Sequence, residues 1–455
     1  MKIFFSKIVA HRIKLQNIVS KVLHLAKKLG MDGVEVTITK NMGLNIKTRY
    51  GKLNNIEFNK DNGLNINVYY KHHIGSAFCN QLNSNIITDT VSAAADIARS
   101  TSKDICHGIA DYELLAFNAP NLDLFHPIDI DAQEAISIAS RAETAALNTD
   151  KRIINTEGGN FNICTSIKVF GNSNDMLQSY CSSYYYISSC VIAKQNNRME
   201  RDYAWTVSRK FTGLHSPEWI GNECARRTIS RLNSRKKITM NAPIIFAAEV
   251  AVELFYHLAD AINGNNVYRK KTFLIDALGR QIFPEWLSVE EQPHILQGIA
   301  SKPFDNQGVL TQKNMIIKNG ILNTWLLNSY SARKLNMKNT GHSGGGIYNW
   351  CIHVTESYNF TFSNLLKKMD KGLVVYELMG QGVNNINGDY SRGAVGFWVE
   401  NGVIQYPVSE VTIASNLRYM WANIQAMSNN DIEIRRSVQC GSLLISEMKI
   451  AGLKK

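Results

Sequence analysis

The sequence lacks any long uninterrupted run of apolar residues. Nowhere in its 455 residues does an apolar stretch approach the ~18–20 residues that a membrane-spanning helix needs. The first residues, MKIFFSKIVAHRIKLQ, are interrupted by Lys7, Arg12 and Lys14. They offer neither the uncharged core nor the small-residue cleavage site of a signal peptide. We therefore expect a cytoplasmic protein without a membrane partner.

Paired cysteines are missing as well. The eight cysteines are scattered and no two form a C-x-x-C pair, whereas a disulfide framework or a zinc ribbon needs close, paired spacing. Reduced thiols are the simplest interpretation. The chain also has no internal repeat, no low-complexity linker and no phosphate-loop or dinucleotide pattern. These absences leave no sequence grounds for a nucleotide-binding site.

The composition is that of a folded globular chain, with 45% hydrophobic and 19% charged residues. Its length allows two or three domains, each with a sizeable core. The net charge of +12 raises the alternative of nucleic-acid binding through a basic surface. The excess is spread along the chain, however, and the one dense run, residues 225–237, lies at the C-terminal end of a predicted helix, where basic side chains are favoured in any case. We therefore expect no nucleic-acid partner.

Helices and short strands alternate in the first half of the chain. Residues 13–30 predict an amphipathic helix with Ile18, Val22, Leu25 and Leu29 on its apolar face. Strands follow, with turns expected at residues 49–51 and at Asp61-Asn62-Gly63. Further helices are predicted over ITDTVSAAADIARSTS, over residues 126–148 and near residues 217–233, and the segment SYCSSYYYISSCVIAKQ alternates like a strand.

Strands dominate from residue 240 onward. The segments MIIKNGILNTWLL and GFWVENGVIQYPV each contain an Asn-Gly pair, the strongest short signal for a β-hairpin. The predicted fold class is α+β, with a mixed helix and antiparallel-sheet N-terminal region and a large antiparallel, barrel-like C-terminal domain. The predicted domains are residues 1–110 (N-terminal α/β), 111–235 (central α/β) and 236–455 (C-terminal, β-rich).

One predicted helix, AAEVAVELFYHLADAI (residues 247–262), carries an incomplete metal motif. Ala251, Leu254, Phe255, Leu258 and Ile262 fall on one side at 100° per residue. Glu249, Glu253, His257 and Asp260 fall on the other side, which is expected to face solvent.

Catalytic zinc needs three protein ligands, an open position for water and a carboxylate that takes its proton. The spacing resembles H-E-x-x-x-H, but the first ligand position is Val252, which cannot coordinate. Glu253 and His257 could be relics of a general base and a second ligand. We therefore predict no working metal site on this helix.

Two other segments are unusual. GHSGG (residues 341–345) matches the G-x-S-x-G nucleophile elbow, but no strand precedes Ser343 and a run of three glycines follows it, which favours a loop over a serine hydrolase. In residues 378–402, glycines interrupt strand-like sequence. They indicate either tight turns within a barrel or a groove that accepts an extended peptide. The candidate groove residues are Gly380, Gly382, Asp389, Tyr390, Ser391, Arg392 and Gly393.

Several segments together resemble the PmbA/TldE proteins of peptidase family U62. The resemblance is carried by NVYRKKTFLIDALGRQIFPEWL, GIASKPFDNQGV, LNSYSARKL, TGHSGGG, LVVYELMGQGV, NGDYSRGAVGFWVENGVIQYPVSEVTIASNL and CGSLLISEMKIAG, and GLNIKTRYGKLNNIEFNKDNGLNINVYY fits the first domain of that family. It covers almost the whole chain, about residues 30 to 453.

The resemblance implies one half of a cytosolic heterodimeric zinc metalloprotease whose other half is TldD. It implies proteolysis of unfolded or short peptides, as in peptide-antibiotic maturation or antitoxin degradation. In TldD the zinc lies on an H-E-x-x-x-H helix completed by a cysteine, and Val252, Glu253 and His257 would fall on that His, Glu and second His. Cys440 lies near the C-terminus like the TldD cysteine, but QCGSLL fits the PmbA/TldE tail better, so no metal role is assigned to it.

Three hypotheses follow. In the first, the chain binds no metal, completes the peptide chamber and leaves zinc to a TldD-like sister subunit. In the second, it is an autonomous metallopeptidase in which His257 and Glu253 combine with distant ligands such as Cys440 or His342. In the third, it is a non-enzymatic binding protein that acts through its basic surface. The sequence leaves open the substrates, the interface residues and whether a homodimer forms without the sister.

Overall fold

A computed structural model describes residues 2–452 and contains two sheet-based parts. The N-terminal part contains β1 (Lys2–Phe4), α1 (Arg12–Lys28), β2 (Gly33–Arg49), β3 (Lys52–Tyr70), β4 (His73–Cys79), α2 (Ser84–Ser100), β5 (Asp129–Asp131), α3 (Ala132–Thr149), β6 (Ile153–Asn172), β7 (Leu177–Gln195), β8 (Arg198–Ser208) and α4 (Pro217–Ser230). Short 3₁₀ turns cover Phe5–His11, Tyr112–Leu114 and Phe211–Gly213.

The C-terminal part begins at residue 240. Its elements are β9 (Met240–Phe246), α5 (Ala248–Ala261), α6 (Gly264–Tyr268), β10 (Leu287–Glu291), β11 (Asn314–Lys318), β12 (Ile321–Leu322), α7 (Ser329–Lys334), β13 (Trp350–Val354), β14 (Asn359–Phe360), α8 (Phe362–Met369), β15 (Gly372–Met379), β16 (Asp389–Glu400), β17 (Val403–Asn416), α9 (Leu417–Ala422), β18 (Ile424–Ser428), β19 (Val438–Gln439) and β20 (Leu443–Ala451), with a 3₁₀ turn at Glu356–Tyr358.

The N-terminal part is built on a six-stranded antiparallel sheet with the order β4-β3-β2-β6-β7-β8, and β1 and β5 form a separate antiparallel pair. Successive side chains of a strand point to opposite faces. On β2, Val34, Val36 and Ile38 therefore join the core under the helices. Glu35 and Thr37 point to the other face, where they line a cavity together with residues of the C-terminal part. The sheet thus has one apolar, helix-covered face and one polar face.

Strands from the first two predicted domains pair directly in this sheet. β2 lies beside β6 in a continuous ladder from Glu35↔Asn172 to Lys47↔Asn160, and side chains from both regions share one hydrophobic core. Residues 1–110 and 111–235 thus share one sheet and one core. The division of the chain into three domains stays a prediction.

The helices and most turns confirm the expectations from sequence. Tyr50 and Gly51 have φ values of 52° and 70° in the β2–β3 turn, as a two-residue hairpin requires. Helix α1 is present, but its buried face is turned relative to the prediction, because Leu15, Val19 and Ala26 are buried beside Val22 while Ile18, Leu25 and Leu29 are only partly buried.

The turn expected at Asp61-Asn62-Gly63 is wrong. These residues lie inside β3 and pair with residues 39–41 of β2. The local turn signal is overridden because residues 61–63 take part in the long β2–β3 ladder, which supplies partners for backbone groups that face β2. At Gly63 an added Cβ would lie 3.2 Å from Thr39 Oγ1, so this glycine marks a close approach within a strand and not a turn.

The C-terminal part confirms the barrel-like fold class. Strands β9, β15, β16, β17 and β20 pair in sequence, and β20 pairs back onto β9, so five strands close on themselves. The β9–β15 pair is parallel and the other four pairs are antiparallel. Both predicted Asn-Gly hairpins are present, at Asn319-Gly320 and Asn401-Gly402, with all four φ values positive.

The barrel does not account for the whole C-terminal part. A second sheet has the order β12-β11-β10-β13-β19. Helix α5 packs into the core that is shared by the barrel and this sheet.

Among residues 2–452, no helix is both long enough and apolar enough to span a membrane. All eight cysteines are free thiols.

Much of the dense basic run at residues 225–237 is engaged within the fold. Arg227 pairs with Glu223 and Glu249, and Arg231 pairs with Asp202, each at 2.7 Å. Further along, Lys236 pairs with Glu410, Arg235 lies over the Tyr406 ring and Lys237 lies over the Trp398 ring. These basic side chains therefore have acidic and aromatic partners within the fold and do not form a free basic stripe.

Candidate functional site

The acidic side chains on the polar face of α5 are paired within the protein. Sequence periodicity predicted a solvated face, and this expectation is wrong at three of its four positions. Glu249, Glu253 and His257 are partly buried. Glu249 accepts from Arg227 at 2.7 Å and lies 3.4 Å from Arg435. The reason is tertiary, because side chains from α4, from strand β16 and from the loop that contains Arg435 lie against this side of the helix.

Val252 packs in the core. Its side chain is fully buried in the cluster that joins α5 to the barrel. A buried aliphatic side chain provides dispersion contacts and no lone pair. The position that would hold the first ligand of an H-E-x-x-x-H motif is therefore part of the hydrophobic core.

Glu253 forms an ion pair with Arg392 from strand β16. Arg392 Nη1 donates to Glu253 Oε2 at 3.0 Å, and Arg392 Nε donates to the backbone oxygen of Met379 at 3.2 Å. Arg392 is only 9% exposed. The α5 helix and the glycine-rich segment at residues 378–402, which were separate candidates in the sequence, therefore meet in one place.

His257 lies one turn further along α5, beside Tyr390. Their ring centroids are 6.2 Å apart in an edge-to-face arrangement. The His257 Nε2 atom and the Tyr390 hydroxyl are buried, and neither has a hydrogen-bond partner in the part of the chain that the structure describes. Burial and the nearby Arg392 charge lower the pKa of His257 to about 4, although Asp260 acts in the opposite direction. The imidazole is therefore neutral at neutral pH.

The loop between β15 and β16 folds back along β16. Ser391 donates its backbone N–H to the Gly382 oxygen at 2.6 Å. An added Cβ at Gly382 would lie 1.9 Å from the Ser391 oxygen, so only glycine permits this approach. The chain itself thus occupies the main-chain edge where a peptide was expected to add as a strand.

The candidate groove residues separate into buried and exposed groups. Tyr390 and Arg392 point inward, toward His257 and Glu253 respectively. Asp389 and Ser391 are exposed on the same strand, and Gly393 pairs with Met379 at the end of the β15 ladder. Gly380, with φ of 80°, begins the loop. The exposed members and the loop remain the candidates for peptide contact.

The residues at this site do not fit a zinc ion. Val252 cannot coordinate and the Glu253 carboxylate is already paired with a guanidinium, so only His257 offers an available atom. Cys440 is fully buried, and burial raises its pKa well above the usual range, which disfavours the thiolate that metals bind. His342 is hydrogen-bonded through Nε2 to Glu291 at 2.8 Å.

No ligand set is assembled elsewhere for the autonomous-enzyme hypothesis. Across residues 2–452, no three His, Cys, Asp or Glu side chains come together in a way that could hold a metal ion. The GHSGG segment is also not a nucleophile elbow, because Ser343 lies in a connection between α7 and β13 with neither a strand before it nor a helix after it.

The sequence pointed to Glu253, His257, Tyr390 and Arg392 but not to the contact between Glu253 and Arg392. Glu253 and Arg392 are 139 residues apart, and no local periodicity links a helix to a strand at that distance. Asn385 was missed as a second bridge between the loop and the helix, where it donates to Asp260. No motif signals that contact either.

Comparisons with known proteins agree with this architecture. Family models described as the PmbA/TldA metallopeptidase central domain and C-terminal domain match residues 125–232 and 239–452. Metalloprotease PmbA of Escherichia coli O157:H7 is 58% identical, and the match covers 98% of each chain.

Two solved structures share the fold. One is a Bacteroides thetaiotaomicron protein described as a candidate modulator of DNA gyrase, with a TM-score of 0.89, 22% identity and coverage of 96% of this chain and 98% of that one. The other is TldE from Thermococcus kodakarensis, with a TM-score of 0.80, 17% identity and coverage of 96% and 100%.

Proposed function

Because the chain belongs to the PmbA/TldE metallopeptidase family, we propose that it is the non-catalytic subunit of a cytoplasmic heterodimeric peptidase. In this proposal a TldD-like sister carries the catalytic zinc, and this chain completes the chamber in which unfolded or short peptides are cleaved. The observation that carries the proposal is the ion pair between Arg392 and Glu253 beside the buried Val252.

The ion pair opposes metal binding by its charge. A general base in a zinc peptidase must be free to take the proton of a metal-bound water. The Glu253 carboxylate instead accepts a hydrogen bond from a guanidinium that is always protonated. A divalent cation beside Glu253 would have to overcome repulsion from Arg392, and Val252 provides no ligand to compensate. We therefore assign α5 of this chain a structural role in the peptidase.

The peptide would contact the loop between β15 and β16 and the outer face of β16. Met379 and Ile386 are 43% and 65% exposed there, and the polar side chains of Asp389 and Ser391 are exposed next to them. Because the Ser391 N–H is already bonded to Gly382, we propose that this loop offers exposed side chains to the substrate.

Zinc content tests the proposal most directly. The chain is purified alone and together with a TldD-like sister, and zinc is measured per chain by elemental analysis. We expect no zinc in the isolated chain and about one zinc per heterodimer. Peptide hydrolysis is measured in parallel, and we expect activity from the pair but not from the sister alone.

His257→Ala provides the matched variant. We expect the pair that contains it to keep its zinc, because His257 is not a ligand in this proposal. Stoichiometric zinc in the isolated wild-type chain that is lost in His257→Ala would establish the autonomous-enzyme hypothesis instead. Full activity of the sister without this chain would also refute the proposal.

A further inference from the structure

A second site lies on the polar face of the N-terminal sheet, away from α5. There a half-open cavity of about 1020 Å³ lies between strands β2, β3, β4, β6 and β7 on one side and loops and short helices on the other, most of them from the C-terminal part. Its volume is at the upper end of the range for ligand pockets, roughly 300–1,000 Å³. The cavity is therefore large enough for a molecule of several residues.

The strands supply mostly polar side chains to this cavity. The alternation that directs apolar residues toward the helices directs hydroxyl and amide groups here, for example Thr37 and Asn65 from β2 and β3 and Ser166 and Ser182 from β6 and β7. Such groups can donate to and accept from the amides of a peptide backbone.

The charges on the cavity wall are predominantly positive. Lys168, Lys302 and Arg269 line it, while Glu35 is the only carboxylate side chain among the lining residues. Burial and repulsion from Lys302 lower the pKa of Lys168 to about 8, although Asp305 acts in the opposite direction. Burial likewise lowers the pKa of Lys302. Two ammonium groups are thus held near each other at a cost in solvation.

The protein itself leaves these ammonium groups with few partners. Lys168 Nζ donates to Asn306 Oδ1 at 2.7 Å, which uses one of its three N–H bonds. The Lys302 ammonium lies 5.8 Å from the centroid of the Tyr348 ring and, within residues 2–452, has neither a hydrogen bond nor an ion pair. Asp305 is buried behind them, and it accepts from the backbone N–H groups of Gln307, Val309 and Ser343.

Glu35 adds a buried carboxyl group to the same wall. It is 97% buried, with 3% of its surface exposed. Its Oε2 accepts from the Tyr69 hydroxyl at 3.1 Å, whereas no donor among the described residues reaches Oε1 in hydrogen-bond geometry. Burial raises the pKa of Glu35 to about 8. At neutral pH it is therefore an uncharged acid that can donate a proton in a hydrogen bond to an anionic oxygen.

From this arrangement we propose that the cavity binds short peptides through a carboxylate, which Lys168 and Lys302 hold by charge-assisted hydrogen bonds while the polar strand residues contact the peptide backbone. The inference rests on the proposed peptide-handling function and assigns it a second binding site. The carboxylate could be supplied by the peptide's C-terminus or by an acidic side chain, and the test distinguishes these sources.

The test is isothermal titration calorimetry on the isolated full chain with three N-acetylated pentapeptides. The first is penta-alanine with a free C-terminal carboxylate, the second is its C-terminal amide, and the third is the amide with a central aspartate. We expect the free acid to bind about ten- to a hundredfold more tightly than the plain amide, because charge-assisted hydrogen bonds are lost in the amide. Restored binding of the aspartate peptide would assign the carboxylate to a side chain as well.

Lysine variants locate the site. Lys302→Met and Lys168→Met are expected to weaken binding of the free acid by about tenfold or more, and Lys318→Met, at an exposed position on β11, should leave it unchanged. Lys302 is partly exposed, so its variant remains informative if Lys168→Met fails to fold.

Three results would overturn the inference. The first is no binding of any peptide to the wild-type chain. The second is equal binding of acid and amide, or equal binding by Lys302→Met and Lys318→Met. The third is inorganic phosphate binding more tightly than the peptides, which would make the cavity a site for small inorganic anions. Zinc content and hydrolysis are not measured in this experiment, so its failure is distinct from failure of the heterodimer proposal.

Discussion

Replacement of Glu35 by glutamine is expected to change how stability depends on pH. Burial raises the pKa of Glu35 from its ordinary 4.5 to about 8. Between these values the unfolded chain releases the Glu35 proton while the folded chain keeps it, so the wild-type protein loses stability as pH rises. In Glu35→Gln the side chain is neutral at every pH, and this loss is absent.

The size of the effect follows from the pKa difference. At 1.36 kcal/mol for each pKa unit, the full window from 4.5 to about 8 corresponds to about 5 kcal/mol, and about 3.5 kcal/mol of it falls between pH 5 and pH 8. The comparison is made by urea denaturation at both pH values. Glu57→Gln, at an exposed carboxylate on β3, is the control and should keep the wild-type pH dependence.

Infrared spectroscopy gives an independent measurement of the same proton. The difference spectrum between wild type and Glu35→Gln should contain the carbonyl band of a protonated carboxylic acid at pH 6, and this band should disappear as pH rises through about 8. If the band is absent at pH 6, or if the two proteins change stability in parallel from pH 5 to pH 8, Glu35 is ionised in the folded protein and the reasoning is refuted.

Three further predictions concern α5, the barrel and the ion pair between Arg231 and Asp202. The pKa of His257 is lowered from 6.5 to about 4, so the free energy of unfolding of the wild type should fall by roughly 3 kcal/mol as pH drops through this window. His257→Phe should not show this loss. Urea denaturation of both proteins at pH 7 and pH 4 measures the difference. In Gly382→Ala the new Cβ would lie 1.9 Å from a backbone oxygen, and we expect the free energy of unfolding to fall by about 3 kcal/mol. Gly380→Ala has open space around its Cβ and should cost only about 1 kcal/mol. Equal melting temperatures of the two variants would contradict this. Arg231→Met leaves the buried Asp202 without its partner at 2.7 Å and should cost about 3–5 kcal/mol in urea denaturation, part of which Asp202→Asn should recover.

The elements predicted best were those with local signals. Alternation and the Asn-Gly pairs predicted the strands and hairpins of the barrel because a two-residue turn depends on residues that are adjacent in sequence. The turn at residues 61–63 was predicted incorrectly for the complementary reason, since the β2 ladder is a tertiary contact that overrides local propensity. The single sheet formed by the first two predicted regions likewise depends on pairing of β2 with β6.

The sequence predicted which residues belong to the candidate site but not which of them lie in contact. Helical periodicity and the incomplete motif singled out Glu253 and His257, and the glycine-rich segment singled out Tyr390 and Arg392. That these four side chains lie together depends on how strand β16 enters the barrel beside α5, which no spacing encodes. The polar cavity was not predicted at all, because its lysines lie on β6 and on a loop that precedes β11 and become neighbours only when the two parts of the chain pack together.

Closure of the barrel has a consequence for the order of events during synthesis. Strand β9 needs β20 as a neighbour, and β20 follows it by roughly 200 residues. At about 5–20 residues per second, a ribosome takes roughly 10–40 s to produce that length of chain. During this interval the edge of β9 that pairs with β20 is unpaired and the apolar face of α5 is uncovered, and both favour aggregation. We therefore expect nascent chains truncated before β20 to bind chaperones that full-length chains no longer need. The barrel can close, and the protein becomes resistant to aggregation, only after β20 has been synthesised.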